Sequence, residues 1–278
     1  MTLVVKIGGA RAVDPAGVAT DIATRVTAGE RIVVVHGGST AVDDLLEAVG
    51  EEPEYVTTPS GVTGRFTDER TMEVFTMAMA GKVNTELTVT LYDAGVDAVG
   101  LSGIDGGLLR GPRKSAVRVL EDGKKKIKRG DHAGRIEKVN VTLLDLLLDA
   151  GYTPVVSVPM LADDGVAVNA DADRAAAAIA GALGARLLLL TDVAGVYADP
   201  DDPSTRIELA TKPSDFECLE RSAEGFMTRK VMAAREALEM GATDVLIADA
   251  TIEHPIDRAT AGEATQITPE AIPEEETT

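Results

Sequence analysis

The sequence predicts an α/β fold built on a mostly parallel, doubly wound sheet, with one β-hairpin inserted into it. Short runs of β-branched and aliphatic residues alternate with helix-length amphipathic segments, a pattern typical of buried parallel strands joined by helices. Hydrophobic residues make up 45% of 278 residues, enough for one large domain or two lobes. Because aromatic residues are only 3% and Trp is absent, the core must consist of Val, Ile, Leu and Ala.

The elements follow one another in regular order. The predicted strands are the runs "LVVKI", "RIVVV", "AVGLS", "TPVVSV", "RLLLL" and "DVLIA". The predicted helices start at Asp14, where Val18, Ile22 and Val26 recur every four residues, span 40–49 and 68–93, and start again at Asp173 and Thr228.

A basic segment interrupts this order at about 113–136. The runs "AVRVL" and "KIKRG" flank an Asp-Gly turn, which predicts a hairpin. Residues 110–138 contain 11 Lys or Arg against four acids, a local charge of +7 in a chain of net charge −19. Charge runs are usually solvated surfaces, but six of the chain's ten Lys fall here, which indicates a macromolecular anion as partner. A nucleic acid is disfavoured, because the hairpin lacks aromatic residues for stacking and its surroundings repel phosphate.

Composition also bears on the setting of the protein. The longest apolar runs are far shorter than a membrane span, and the sequence starts directly in a strand-like run. Cys218 is the single cysteine, so no internal disulfide is possible. We therefore expect a cytoplasmic protein without membrane association. The acidic excess further suggests a halophilic source.

Two glycine pairs follow predicted strands, Gly8-Gly9 after the first and Gly37-Gly38 after the second. At the carboxyl ends of parallel strands, glycines let backbone N–H groups approach a phosphate, although ordinary turns explain such pairs equally well. Lys6 favours the phosphate, because a cation inside an apolar strand needs an anionic partner. The motifs of P-loop and Rossmann dinucleotide sites are absent.

Three later segments carry polar residues at element ends. Asn169, Asp171 and Asp173 precede or open an Ala-rich helix, where an N-cap is the simplest explanation. Thr191, Asp192 and Gly195 follow a buried strand. Lys230 lies near a helix N-terminus, where the dipole disfavours a cation unless an anion binds; a solvated Lys is the alternative.

Histidine and cysteine offer no catalytic or metal-binding pattern. His36, His132 and His254 share no ligand spacing, and no nucleophile motif is present. His36 is expected to shape its loop rather than to act as a base.

Taken in order, "VVKIGG", "VVHGG", "RFTD", "NADADRAA", "TDVAGV" and "GFMTRKVMAA" resemble the amino-acid kinase family over nearly the whole chain. Within it the sequence is similar to the acetylglutamate kinase branch, and "RKSAVRVLEDGKKKIKRGDHAGRIEKVN" resembles the subgroup that uses a LysW-type amino-group carrier protein. The resemblance implies an αβα sandwich. Its N-terminal lobe, 1–178, would hold the amino-acid substrate, its C-terminal lobe, 179–270, would hold ATP with Mg²⁺, and 271–278 would be a disordered acidic tail.

The resemblance also implies residue roles. Lys6 and Lys230 would neutralise the phosphoryl group in flight, and Asp171 would hold the two lysines. The remaining implied contacts are phosphate binding by Gly8 and Gly9, substrate binding by Gly37, Gly38, Arg65 and Asn169, and nucleotide binding by Thr191, Asp192, Gly195, Val196 and Tyr197. No protein ligand to a metal is implied, and no general base is needed, because the acceptor carboxylate is already ionised.

The implied reaction is ATP-dependent phosphorylation of the side-chain carboxylate of glutamate or α-aminoadipate linked to a small acidic carrier. The carrier would dock on Lys124, Lys125, Lys126, Lys128 and Arg129, and the family likeness implies a homodimer. Ser39 and Ala167 replace a Gly and an Asn usual in acetylglutamate kinases. Two alternatives stay open: acetylglutamate kinase acting on the free small molecule, and a non-catalytic nucleotide-binding sensor, which would not need two paired lysines.

Overall fold

The computed structural model describes residues 1–8, 15–59, 61, 63–121 and 124–273. Within them, one large sheet of 11 strands runs in the order β13-β15-β14-β12-β1-β2-β10-β6-β9, and β5 and β11 also pair with β10. Most neighbouring pairs are parallel, and the antiparallel pairs include β14–β15 and β6–β9. The sequence-based prediction of a mostly parallel α/β fold is confirmed.

The strands carry these bounds: β1 Thr2–Ile7, β2 Arg31–His36, β3 Tyr55–Thr57, β4 Thr63–Arg65, β5 Ala98–Gly103, β6 Leu109–Gly111, β7 Arg113–Glu121, β8 Lys124–Gly134, β9 Lys138–Val139, β10 Thr153–Ala162, β11 Ala167–Val168, β12 Arg186–Thr191, β13 Leu209–Ala210, β14 Val245–Asp249 and β15 Thr265–Ile267.

The helices are α1 Pro15–Thr27, α2 Ser39–Ala48, α3 Glu69–Thr76, α4 Asn84–Asp93, α5 Val141–Asp149, α6 Ala172–Leu183, α7 Pro213–Ser222, α8 Phe226–Glu239 and α9 Pro255–Thr260, with a π-helical segment at Met77–Val83 between α3 and α4. No helix in the described ranges is both long and apolar enough to span a membrane.

Strand β1 lies at the centre of the sheet, between β2 and β12, and both of its faces are buried. Alternate residues of these strands enter two hydrophobic clusters, with Val33 and Leu187 on one side of the sheet and Val34 and Leu188 on the other. Helices cover both sides, which is why the strands read as continuous apolar runs. Lys6 therefore lies in the middle of the molecule.

Two hairpins stand outside the large sheet. The predicted one is formed by β7 and β8, which pair antiparallel from Arg113↔Gly134 to Glu121↔Lys124; its predicted Asp122-Gly123 turn lies outside the described residues. The other, β3–β4, pairs Tyr55 with Arg65 and was not predicted. Its three-residue strands are too short to show an alternating pattern.

The predicted long helix over 68–93 is present as α3, the π-helical segment and α4 in succession. Asp68 is its N-cap, accepting a hydrogen bond of 2.7 Å from the Thr71 backbone N–H. The predicted helix start at Asp14 lies outside the described residues, and α1 begins at Pro15.

The predicted lobe boundaries fit the structure less well. The division at 178/179 falls inside helix α6, and the large sheet continues across both predicted lobes, so the lobes stay a prediction. Ala271 is buried and Ile272 packs against the core, so these residues belong to the fold rather than to a disordered tail. Residues 274–278 lie outside the described part.

Helices α6 and α8 approach so closely that position 181 tolerates no side chain. A Cβ on Gly181 would lie 2.4 Å from the Met240 Cβ. We expect Gly181→Ala to destabilise the protein by about 1–3 kcal/mol, because the clash outweighs the helix preference of Ala. Gly81→Ala is the control: it is exposed in a helical segment with nothing within 4 Å of a Cβ, and should be neutral or stabilising by up to about 1 kcal/mol. Urea unfolding of both variants measures the contrast, and equal stabilities would contradict it.

Candidate active site

A single buried carboxylate, that of Asp173, joins two lysines from distant parts of the chain. Lys6 Nζ on β1 lies 2.7 Å from its Oδ1, and Lys230 Nζ on α8 lies 3.2 Å from its Oδ2. All three residues are 6–7% exposed. Asp173 is in the first turn of α6, so one strand and two helices converge at this point.

The electrostatics of this cluster favour an added anion. Burial alone would raise the pKa of the Asp173 carboxyl, but the two ammonium groups outweigh it and hold that pKa below its usual value. Burial, together with the charge of Lys6, lowers the pKa of Lys230. Two cations share one anion, so the cluster carries a formal charge of +1. An excess buried charge is unfavourable, and a bound phosphate would compensate it.

The lysine-holding role expected of Asp171 belongs to Asp173 instead. Asp171 is the N-cap of α6: its Oδ1 accepts hydrogen bonds from the backbone N–H groups of Asp173 (2.9 Å) and Arg174 (3.1 Å). Its Oδ2 lies 3.5 Å from Nη1 of Arg229. The cap orients the carboxylate along the helix end, whereas Asp173, two residues on, faces the sheet and the lysines.

The glycine pairs lie where β1 and β2 end beside one another. The Gly37 N–H donates to the Ile7 carbonyl over 3.0 Å. Gly38 is the N-cap of α2 and provides no side-chain cap, which leaves the positive end of this helix available to an anion. Gly8 follows β1 directly, and Gly9 lies outside the described residues.

Arg65, the predicted carboxylate-binding residue, is engaged within the protein. Its Nη1 pairs with Asp43 Oδ1, and its Nη2 donates to the Ser39 carbonyl over 3.1 Å and to the Tyr55 hydroxyl over 2.9 Å. The Tyr55 hydroxyl in turn donates to the other oxygen of Asp43 over 2.9 Å. The guanidinium is thus oriented in advance, with a carboxylate already on one edge.

Asn169 lies where the basic hairpin joins the sheet. Its backbone N–H donates to the His132 carbonyl over 2.7 Å, and its carbonyl accepts from the Gly134 N–H over 2.8 Å. Its side-chain amide donates to the Thr67 hydroxyl over 3.1 Å. The segment from Asn169 to Asp173 is therefore continuous with the base of β8.

The predicted nucleotide-binding residues form the loop after β12. Gly195 has φ of 150°, and a Cβ there would lie 2.4 Å from the Thr265 hydroxyl, which accepts from the Val196 N–H over 2.8 Å. Tyr197 accepts the Ala194 N–H at its hydroxyl over 3.2 Å. Thr191 is buried at the strand end and donates to Asp192 over 3.1 Å. Among the described residues, no hydrogen bond or ion pair joins this loop to Lys6 or Lys230.

His36 is a structural residue, in agreement with the sequence-based expectation. Burial is the main cause that lowers its pKa to about 4, so the imidazole is neutral at pH 7. Asn84 Nδ2 donates to Nε2 over 3.1 Å, which leaves Nδ1 to donate to the Gly37 carbonyl over 3.0 Å. Both ring nitrogens are used, and His36 fixes the loop that carries Gly37.

A second group of titratable residues lies away from this site. The possible ligand atoms of Asp21, His254 and Asp257 lie within 4.8 Å of one another. The Asp21 oxygens already accept from His254 Nδ1 (2.7 Å) and from the backbone N–H of Ile256 (2.9 Å), and Asp257 pairs with Arg25. This group joins α1 to α9.

Comparison with known proteins agrees with the geometry. The profile of the "Amino acid kinase family" matches residues 1–249. A [LysW]-aminoadipate kinase of Deinococcus radiodurans is 46% identical over 267 residues, which cover 95% of this chain and 91% of that protein. An acetylglutamate kinase of Methanopyrus kandleri is 44% identical over 218 residues, covering 77% of this chain and 84% of that protein. The crystal structure of an N-acetylglutamate synthase from Neisseria gonorrhoeae superposes with a TM-score of 0.70 at 26% identity, covering 97% of this chain and 61% of that longer one.

The family match and the relatives named as kinases, together with the buried lysine pair, thus define a phosphotransferase with a carboxyl group as acceptor. The chain belongs to the amino acid kinase family.

Sequence reasoning noted Asp173 but gave it no role, and it missed Arg229, Asp43 and Tyr55. A signal for Asp173 was present: it lies three, four and seven residues before Ala176, Ala177 and Ala180, all buried, and so shares their face of α6. For Arg229 and Asp43 the sequence contains no comparable signal, since both lie among other charged residues of helices.

Replacing Asp173 should distinguish it sharply from Asp171. Asp173→Asn leaves two buried ammonium groups without a counter-charge, and we expect a loss of about 3–5 kcal/mol in unfolding free energy. Asp171→Asn keeps a good N-cap and should change stability by no more than a few tenths of a kcal/mol. Urea denaturation at pH 7 measures both. If Asp171→Asn lost more unfolding free energy than Asp173→Asn, the expected role of Asp171 in holding the two lysines would be restored.

His36 should make stability depend on pH in acid. Its pKa is about 4 when folded and 6.5 in the reference state, so the unfolded chain binds the extra proton between these values and stability falls as pH drops from 6.5 toward 4. The full loss of unfolding free energy is about 3 kcal/mol, and above pH 6.5 there is no loss. His36→Gln removes this titration, so the stability difference between wild type and variant should shrink as pH falls. If the unfolding free energies of the two proteins, measured with urea, followed parallel curves against pH, this effect of His36 would be excluded.

Proposed function

We propose that this protein is an ATP-dependent kinase of glutamate or α-aminoadipate attached to a small acidic amino-group carrier protein of the LysW type. It transfers the γ-phosphoryl group to the side-chain carboxylate and yields an acyl phosphate for lysine or arginine biosynthesis. The observation that carries the proposal is the buried pair Lys6 and Lys230 sharing Asp173, at the point where strand ends and helix N-termini meet. The names of the relatives supply the substrate class.

Transfer requires positioning and charge stabilisation more than proton transfer. An oxygen of the acceptor carboxylate forms the new bond to phosphorus as the bond from phosphorus to the bridging oxygen of ADP breaks. Lys6 and Lys230 neutralise the charge that spreads over the phosphoryl oxygens, in a water-poor place where such contacts are strong. Asp173 fixes both ammonium groups before the substrates arrive.

Mg²⁺ would lower the charge of the ATP phosphates and orient them. The described carboxylates beside the lysines, Asp171 and Asp173, are both engaged, as N-cap and as lysine partner. The metal would therefore be held mainly through the nucleotide. The loop Thr191–Tyr197 would contact the rest of the nucleotide.

Arg65 would bind the free α-carboxylate of the acceptor through its planar fork. Asp43 occupies part of that fork, so an incoming carboxylate must share or displace it. This exchange favours acceptors that replace the Asp43 contact with Nη1, since an unpaired guanidinium is unfavourable.

The basic hairpin has two different faces. Residues opposite each other share a face, so Arg118, Leu120, Lys125, Ile127 and Arg129 lie on one and Val119, Lys124, Lys126 and Lys128 on the other. The latter face is the body side: Val119 is buried, and Lys128 pairs with Glu54 and lies 4.0 Å from the Phe66 ring centre.

The outward face is the better candidate for the carrier. Ile127 is 63% and Leu120 46% exposed, beside cations for which the described part of the chain offers no carboxylate partner, Lys125 and Arg129. Lys126, by contrast, pairs with Glu121 of its own hairpin. Apolar contacts ringed by positive charge fit a small acidic protein.

The base of the hairpin lies beside the proposed acceptor site. The Thr67 N–H donates to the Asp131 carboxylate over 3.1 Å, and the His132 N–H donates to the Thr67 carbonyl over 2.6 Å. Thr67 follows Arg65 by two residues, and β8 also bonds to Asn169. A carrier on the hairpin would thus present its substrate next to Arg65.

The acidic composition supports a further proposal, a halophilic source. At about 1 M salt the Debye length is about 3 Å, so carrier docking would depend on direct contacts rather than on long-range steering. The cytoplasmic location and the homodimer stay predictions.

Acetylglutamate kinase is the second candidate, favoured by the similarity to the enzyme of Methanopyrus kandleri. The deciding experiment is a hydroxamate assay coupled to ATP, with N-acetylglutamate, carrier-linked glutamate and carrier-linked α-aminoadipate in parallel. We expect turnover with a carrier-linked substrate and little with N-acetylglutamate. The reverse order would establish the second candidate, and no turnover with any acceptor would favour the nucleotide sensor.

Charge reversal on the two faces of the hairpin tests the docking proposal. Arg118→Glu with Lys125→Glu should raise KM for the carrier-linked substrate about five- to thirtyfold, as expected for a few lost exposed ion pairs. The matched pair Lys124→Glu with Lys126→Glu makes the same change in net charge on the other face and should have a smaller effect. Steady-state kinetics at fixed salt measure both. Equal effects would mean that net charge, not the outward face, attracts the carrier.

A further inference from the structure

Arg229, which directly precedes Lys230, connects the phosphate side of the site to the acceptor side. Its Nη1 lies 3.5 Å from Asp171 Oδ2, and its Nη2 donates to the backbone carbonyl of Thr63 on β4. Asp171 is the cap of α6, the helix whose first turn holds Asp173. One guanidinium thus contacts helices α6 and α8 and the β3–β4 hairpin.

The β3–β4 hairpin depends on such contacts for its position. It is a two-stranded sheet separate from the large one, and isolated hairpins of this kind are marginal in water. Its other described attachments include Arg65 to Asp43 and Ser39, Tyr55 to Asp43, and Glu54 to Lys128. These lead to α2 and β8, on the acceptor side. Arg229 brings in α8, the helix that carries Lys230.

We infer that Arg229 is a positioning residue that couples nucleotide binding to the hairpin that carries Arg65. When phosphate engages Lys230, the first turn of α8 becomes more ordered, and Arg229 transmits this order to Thr63. The distance between the acceptor held by Arg65 and the phosphoryl group held by Lys230 is thereby restricted. Such coupling acts in both directions: ordering of the hairpin by acceptor favours nucleotide binding to the same extent. This inference rests on the proposed function, because it assumes nucleotide at Lys230.

The test is amide hydrogen exchange of the β3–β4 hairpin with and without the non-hydrolysable ATP analogue adenylyl-imidodiphosphate and Mg²⁺. In the wild-type protein we expect the analogue to slow exchange in the hairpin about fivefold or more, within the usual range of coupling between sites. Arg229→Ala should still bind the analogue, but the protection of the hairpin should be lost. Arg229→Lys keeps the charge without the planar fork and should retain only part of it.

Arg235→Ala is the matched control. Arg235 lies on the same helix with 31% of its side chain exposed, against 30% for Arg229, and it pairs with Glu220 away from the hairpin. It should behave as wild type. Equal protection in wild type and Arg229→Ala would overturn the inference, as would a wild-type hairpin that does not respond to bound analogue. Failure of the wild-type protein to bind the analogue, measured by calorimetry, would instead overturn the proposed function and the inference with it.

Thermal unfolding separates this role from a merely structural one. Arg229→Ala should unfold within a few degrees of Arg235→Ala, since both remove one partly exposed ion pair. If Arg229→Ala does not fold, the Arg229→Lys variant carries the test. Full protection of the hairpin in that variant would show that the fork geometry is not needed and would contradict the inference.

Discussion

The carboxylate of Asp173, shared by Lys6 and Lys230, is the interaction on which the rest of the structure depends. It brings residues from the first strand, the middle of the chain and a late helix to one buried point. Each ion is out of water, so each needs the others. A central β1, an Ala-rich α6 that can approach the sheet, and an α8 packed directly on α6 are the structural conditions for this contact.

This arrangement explains why the described residues of the candidate site include no activated base. A carboxylate acceptor needs no deprotonation, so the protein has only to hold charge and geometry. Its one well-placed histidine, His36, is kept neutral by burial and used in a hydrogen-bonded chain with Asn84 and Gly37. The titratable chemistry of the site consists of fixed charges rather than of groups that exchange protons.

Much of the fold could be predicted from the sequence, because fully buried strands leave clear apolar runs and their connecting helices leave clear periodicity. The β7–β8 hairpin could be predicted because two strand-like runs flank an Asp-Gly dipeptide. The β3–β4 hairpin could not be predicted, since its strands contain three residues each and it is held in place by contacts with other parts of the chain. The lobe division at 178/179 stays a prediction: it falls inside α6, and a ligand-binding division need not coincide with the end of a helix.

The sequence indicates which segments form the site, but fewer of the contacts between their side chains. Lys6 and Lys230 were identified from their unusual positions, a cation in a buried strand and a cation near a helix start. Asp171 and Asp173 are chemically identical and two residues apart, and only the helix start, which makes the first a cap and turns the second inward, separates their roles. The partners of Arg65 and Arg229 depend on tertiary placement, which local pattern does not encode.

The pairing of Lys126 with Glu121 and of Lys128 with Glu54 has a consequence for copies of the protein in solution. A basic protrusion on an otherwise acidic body is complementary to the body of the next molecule, and such head-to-tail contacts can extend into open chains. By pairing with Lys126 and Lys128, these two glutamates reduce the positive charge of one face of the protrusion and so weaken its attraction for other copies of the protein. The cations on the other face, Arg118, Lys125 and Arg129, are interspersed with Leu120 and Ile127, a surface that a generic acidic protein matches poorly.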